Sequence, residues 1–160
     1  RMRYWAARTG GRLFEVIGRG ESILLGRKTW ETHAGAFEPM ADDDPNEPGF
    51  NRMSKYVVSN TLTSADAWRN STIISGDVVG KIRELKAQGG GDILVDGSSE
   101  LVHTLVENGL VDEINLAVYP IVLGSGKKLF PDGTRINMRL ADATPVPSGV
   151  IMTRYMVDRG

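Results

Sequence analysis

Apolar residues along this chain fall into two kinds of block. Short unbroken runs, Ile23-Leu24-Leu25 and Ile93-Leu94-Val95, stop at Gly26 and at Asp96-Gly97. A run without polar alternation predicts a strand buried on both faces, near the middle of a sheet. After each run the period changes. Leu101, Val102, Leu105 and Val106 recur at helical spacing, which predicts an amphipathic helix that Ser98 or Ser99 caps and Asn108-Gly109 ends. After the earlier run a helix starts within Gly26-Arg27-Lys28-Thr29-Trp30-Glu31. Ile114, Leu116 and Val118 then alternate with Asn115, Ala117 and Tyr119, and Pro120 marks the end of that strand. Residues 91–130 thus read as strand, helix, strand and Gly-rich loop, with a connection long enough for a right-handed crossover. The rest of the chain is organised around this unit.

The remaining blocks extend the same plan. Lys55 to Val58 predicts a third strand and Thr72 to Ile74 a brief fourth. Val78, Val79, Ile82 and Leu85 form a helical stripe that starts after Asp77 and ends with Lys86 and the Gly89-Gly90-Gly91 run. Met138 to Ala143 and Val150 to Val157 read as an antiparallel hairpin at one edge of the sheet. Pro39, Pro45 and Pro48 make the segment from Gly35 to Gly49 a long mobile surface loop, able to serve as a lid. Leu13, Phe14, Val16 and Ile17 predict a short helix ending near Gly18 or Gly20. Arg1 to Trp5 carries aromatic bulk without a strand pattern, so no N-terminal strand is expected. The sum is one α/β domain over residues 1–160: a mixed, mostly parallel sheet flanked by helices, with a C-terminal antiparallel hairpin.

Charge and composition narrow the function. With 19 basic and 20 acidic residues there is no net field to favour nucleic acid or an anionic membrane. Cysteine is absent and there are two isolated histidines, which excludes a disulfide framework, a thiolate nucleophile and a histidine-rich metal cluster. No apolar run has the length of a membrane span and no signal peptide is evident, so a soluble cytoplasmic protein is the expectation.

Candidate chemistry sits at the strand ends. Gly97 lets a ligand approach the backbone, and the N–H groups of Ser98, Ser99 and Glu100 at a helix start attract an anion; the alternative is a tight turn and cap. Arg27 and Lys28 with the Thr29 hydroxyl suit a phosphate-rich ligand, or are a solvated basic pair. Ser59, Asn60 and Thr61 offer short hydrogen-bonding side chains at the end of the third strand. The loop Gly124-Ser125-Gly126-Lys127-Lys128 is either a flexible lip over a ligand or an exposed turn. His103 reads as a surface residue, and His33 enters only by its position beyond the basic turn.

Four motifs in order, a strand followed by GRKTWE, KYVVSNTL, GGDILVDGSSELVHTLVENGLVDEI and YPIVLGSGKKLF, resemble bacterial proteins of the dihydrofolate reductase superfamily akin to the reductase domain of riboflavin biosynthesis. The resemblance covers about residues 22–157. It implies a three-layer dihydrofolate reductase-like fold with NADPH across the carboxyl ends of the strands. Gly26, Arg27, Lys28 and Thr29 match the cofactor-phosphate turn, Ser59, Asn60 and Thr61 the adenosine side, and Gly97, Ser98 and Ser99 the pyrophosphate turn. Asp96 matches an acidic position near the nicotinamide and substrate, and is the catalytic candidate. Such a protein reduces a small pterin-like or ribosylaminopyrimidine-like compound and forms a homodimer. The competing class is a non-catalytic nucleotide-binding or interaction protein of the same fold. The chain departs from the family in two places: the opening strand that lines the substrate pocket is missing, as if the sequence were truncated, and Glu15 is the sole acid near the position of a pterin-protonating carboxylate.

Overall fold

The computed structural model of the chain describes residues 1–5 and 20–158. The strands are β1 (Met2–Trp5), β2 (Gly20–Gly26), β3 (Ser54–Val58), β4 (Ser71–Ile74), β5 (Asp92–Val95), β6 (Glu113–Val118), β7 (Met138–Pro145) and β8 (Ile151–Val157). The helices among the described residues are α1 (Arg27–Phe37), α2 (Val78–Ala87) and α3 (Ser99–Glu107). All eight strands join one sheet in the order β4-β3-β2-β5-β1-β6-β8-β7. The pairings from β4 to β6 are parallel, while β6–β8 and β8–β7 are antiparallel. The helix expected over Leu13 to Ile17, and with it Glu15, lies outside the described residues.

The period-two geometry of the two apolar runs builds three layers. Leu24, Ile93 and Val95 face one core with Ile82 of α2 and Leu101, Val102 and Leu105 of α3. Ile23, Leu25 and Leu94 face the other, with Trp30 and Ala34 of α1, Val57, Phe50 and Trp68. Successive side chains of a strand point to opposite faces, so a strand covered on both sides is apolar at every position.

Two expectations about topology are corrected. Met2–Trp5 is a strand, and a central one: β1 pairs with β5 on one side and β6 on the other, with Met2 fully buried. Four residues between two strands need no alternating pattern, because neither face meets water; this is why the pattern was not visible. It follows that β5 and β6, the strands of the organising unit, are not neighbours, since β1 lies between them.

The segment after α1 is also not a mobile lid. Asn51 is fully buried; its Nδ2 donates to the carbonyls of Phe37 and Met40 at 2.7 and 3.1 Å, and its Oδ1 accepts from Trp68 Nε1 at 2.7 Å. Arg69 grips the other end through Glu38 at 2.9 Å and Asp42 at 2.8 Å. Lys55 Nζ donates to the carbonyls of Phe50, Asn51 and Met53 at 2.7, 3.2 and 2.8 Å. Buried polar groups paired in this way hold a loop as firmly as regular structure does. The segment leads into the amino end of β3, whereas the strand ends discussed next are carboxyl ends. Among the described residues no helix is long and apolar enough to cross a membrane.

Candidate functional site

The site is assembled by two strand–helix junctions that touch. At the first, β2 ends at Gly26, which is also the N-cap of α1 in an extended conformation. At the second, β5 ends at Val95, and Asp96-Gly97 leads into α3, whose N-cap Ser98 accepts from Leu101 N–H through its hydroxyl. Gly26 N–H donates to the Gly97 carbonyl at 3.1 Å. The contact is so close that a Cβ on Gly26 would lie 2.6 Å from Ser98 Oγ, and one on Gly97 would lie 3.2 Å from Thr29 Oγ1. Gly97 has φ +103° and the Gly97–Ser98 peptide is cis. Gly26 is therefore a glycine for closeness, and Gly97 for its left-handed backbone.

Between these junctions and the end of β3 lies a cleft of about 640 Å³. Gly26, Arg27, Lys28, Glu31, Ser59, Thr61, Ser98 and Ser99 line it, with Lys127 from the Gly-rich loop and Glu100, Leu101 and Thr104 from α3. The first turns of α1 and α3 both open on it, and their unbonded N–H groups carry partial positive charge. Arg27 is held on its wall: Nε donates to Glu31 at 2.7 Å and a terminal nitrogen to Thr61 Oγ1 at 2.7 Å. Of the two readings of the Gly-rich loop, a lip over the cleft is where Lys127 lies; Lys128 instead pairs with Asp132.

The residues singled out in the sequence do not all meet in this cleft. Gly26, Arg27, Lys28, Ser59, Thr61, Ser98 and Ser99 do. Ser59 Oγ accepts from the N–H groups of Thr61 and Leu62 at 3.2 and 3.0 Å, so it shapes its own turn as well as the wall. Asn60 does not line the cleft; its side chain accepts from Gly76 N–H at 3.0 Å and ties the β3 end to the turn before α2. Thr29 and Gly97 form the contact behind the lining.

Asp96 also lies off the cleft lining. Its Oδ2 is 2.8 Å from His33 Nε2. His33 is 3% exposed and packs among Phe37, Phe50 and Trp68, with ring centroids 5.6 to 6.2 Å apart. Sequence reasoning left His33 out, although a signal existed: Trp30, His33, Ala34 and Phe37 form the i, i+3, i+4, i+7 stripe that a packed helix buries. Glu31 and Lys127 were quoted within motifs but not assigned. His103 is half-buried, its Nε2 2.9 Å from the Leu129 carbonyl, where it holds the Gly-rich loop to α3. Among the described residues no group of three or more His, Cys, Asp or Glu side chains is placed to hold a metal ion.

Comparison with known proteins gives the arrangement its context. Residues 15–152 match the family described as RibD C-terminal domain. The chain belongs to that family. A relative of this RibD C-terminal domain is the uncharacterized protein YyaP of Bacillus subtilis, 33% identical over 146 residues that cover 88% of this chain and 76% of YyaP. Among solved structures, a putative riboflavin biosynthesis protein from a Shewanella species aligns with a TM-score of 0.72 at 22% identity, over 96% of this chain and 81% of that one. RibD of Acinetobacter baumannii aligns with a TM-score of 0.68 at 13% identity, over 98% of this chain and 57% of RibD. At these identities the two structures speak for the fold, which is dihydrofolate reductase-like. Membership of the RibD C-terminal domain family supports a reductase-type enzyme.

Proposed function

We propose that this RibD C-terminal domain is an NADPH-dependent reductase of a small pterin-like or ribosylaminopyrimidine-like compound. The observation that carries the reading is the cleft itself: two helix N-termini and the side chains of Arg27, Lys28 and Lys127 converge on one concavity at the carboxyl ends of β2 and β3. Ligands of open α/β sheets bind at such strand ends, and helix N-termini with basic side chains are complementary to phosphate oxygens. The shape fits an extended phosphate-rich ligand, because the absent Cβ at Gly26 lets the two junctions approach and the glycine at 97 keeps backbone available between them. In this reading Gly26, Arg27, Lys28 and Thr29 form the turn that meets the adenosine phosphate, Ser59, Asn60 and Thr61 shape the adenosine side, and Gly97, Ser98 and Ser99 meet the pyrophosphate.

NADPH, when bound, supplies a hydride to an electrophilic carbon of the substrate. The work of the chain is to bind, to orient and to manage the proton that the neighbouring substrate heteroatom takes up. Asp96, at the end of a buried central strand, is the residue assigned to that position. Exposed apolar residues on the other side of the sheet, Ile121, Val122 and Leu123 after β6 and Leu140 and Ile151 on the hairpin, support a homodimer.

The test is NADPH oxidation by the full-length protein with a panel of dihydropterin and aminopyrimidine substrates, together with calorimetric titration of NADPH. Turnover on one of them is expected, and Asp96→Asn is expected to lower turnover more than NADPH affinity. Binding of NADPH without turnover on any substrate would favour a non-catalytic nucleotide-binding protein.

A further inference from the structure

His33 contributes nothing to the cleft and is not explained as packing. Its ring sits in an aromatic box of Phe37, Phe50 and Trp68. Its Nδ1 is buried without a hydrogen-bond partner. A leucine or phenylalanine would fill such a box without burying an unpaired polar atom, which costs ~1–3 kcal/mol. What the imidazole has that an apolar side chain lacks is its bond to Asp96, 2.8 Å long and made across 63 residues of sequence. A local rule broken at one point, with a specific contact as its only return, marks a position kept for function.

The geometry shows what the contact does. Leu94 faces the α1 side of the sheet, and Asp96, two residues on, leaves the strand toward the same side. A carboxylate at a strand end turns freely about its last side-chain bond. Here one oxygen is held by a donor that does not move, because the ring is part of the buried stripe of α1 and is wedged by three other rings. A carboxylate accepts only, so the hydrogen is on Nε2; a hydrogen on Nδ1 would be buried with no acceptor. The Asp96 side chain keeps 25% of its surface exposed, so the group is reachable while its plane is set from behind.

We propose that His33 is a positioning residue for Asp96: its Nε2–H fixes one carboxylate oxygen, so that the other is presented at the carboxyl edge of the sheet in a single orientation. The proposal rests on the reading of Asp96 as the carboxylate beside nicotinamide and substrate. It differs from a structural tie in what it predicts. His33→Leu fills the box and leaves the urea midpoint close to that of the wild type, yet lowers kcat on the order of tenfold, with the KM for NADPH little changed. His33→Gln, whose amide nitrogen reaches about as far as Nε2, restores most of the turnover. The double variant His33→Leu/Asp96→Asn is no slower than Asp96→Asn alone, because His33 acts only through that carboxylate.

Two readouts do not depend on turnover. The chain has two histidines, so ring-nitrogen NMR of the full chain, assigned with His103→Gln, reads the tautomer directly. Hydrogen on Nε2, with a shift altered by Asp96→Asn, is expected. Hydrogen on Nδ1, or a ring indifferent to Asp96→Asn, overturns the proposal. The emission of bound NADPH is expected to change alike in His33→Leu, Asp96→Asn and the double variant. Independent, additive effects of the two substitutions, or equal losses in His33→Leu and His33→Gln, overturn the role of His33 and leave the reductase reading standing. Failure of the wild type to bind NADPH sinks the reductase reading itself and the proposal with it.

Discussion

The closest contact of the site offers the sharpest test of how it is built. Gly26 has φ −73° and ψ 155°, an extended conformation open to any residue, so Gly26→Ala introduces no backbone strain. What it introduces is a methyl group 2.6 Å from Ser98 Oγ, 3.1 Å from Ser98 Cβ and 3.2 Å from Ser98 N. The hydroxyl can rotate away, and then α3 loses its cap on Leu101 N–H, a change worth ~1 kcal/mol. The Cβ and backbone contacts remain, and overpacking of this kind costs ~1–3 kcal/mol. A total loss of about 2–4 kcal/mol is expected from these two effects, measured as the shift of the urea unfolding midpoint at constant slope. Ser98→Gly alone should cost only a few tenths of a kcal/mol, since glycine is tolerated at an N-cap. Because it removes the two nearest atoms, the double variant Gly26→Ala/Ser98→Gly should be more stable than Gly26→Ala alone. Strictly additive losses would refute the reasoning and would mean that the junctions separate freely. A falling NADPH affinity in Gly26→Ala that returns in the double variant is the matching result for the cleft.

Three further outcomes are expected. Arg27→Ala should weaken NADPH on the order of tenfold or more and NADH far less, since a charge-assisted hydrogen bond is worth ~1.5–3 kcal/mol; equal weakening by calorimetry at one ionic strength would place Arg27 on the shared pyrophosphate or, through Glu31 and Thr61, only on the wall. Lys55→Met orphans carbonyls of the 50–53 turn and should cost ~1–3 kcal/mol in urea unfolding. Burial, and next the charge of Arg69, lower the Lys55 ammonium from 10.5 to about 8. The unfolded chain then holds the extra proton between those values, so the stability of the wild type over Lys55→Met should grow as pH rises from about 8 to 10.5 and stay level below about 8; a difference that is flat or falls across that window refutes it. Val122→Glu, at a position 95% exposed, should turn a sedimenting dimer into a monomer without loss of stability, and a wild type that is monomeric at micromolar concentration removes the homodimer.

Much of this architecture is carried by local pattern. The unbroken apolar runs at Ile23–Leu25 and Ile93–Val95 name the covered strands, and Leu101, Val102 and Leu105 name the face of α3 that the sheet receives. Caps and turn glycines at Ser98, Asp77 and Gly109 set the helix ends, because their hydrogen bonds reach only three or four residues. Gly26 and Gly97 were legible as junctions for the same reason. Pairing between distant segments leaves no such mark. Nothing within Met2–Trp5 tells that it inserts between β5 and β6, since its partners lie about 90 residues or more away and both its faces are covered. The proline-rich segment after α1 reads as mobile until Asn51, Lys55 and Arg69 are seen to satisfy its backbone from other elements. His33 and Asp96 each look ordinary alone, one on a buried helical stripe and one at a strand end. Only the packing of α1 against the β5 face brings Nε2 and Oδ2 to 2.8 Å, because that distance depends on the relative placement of two elements and not on either sequence.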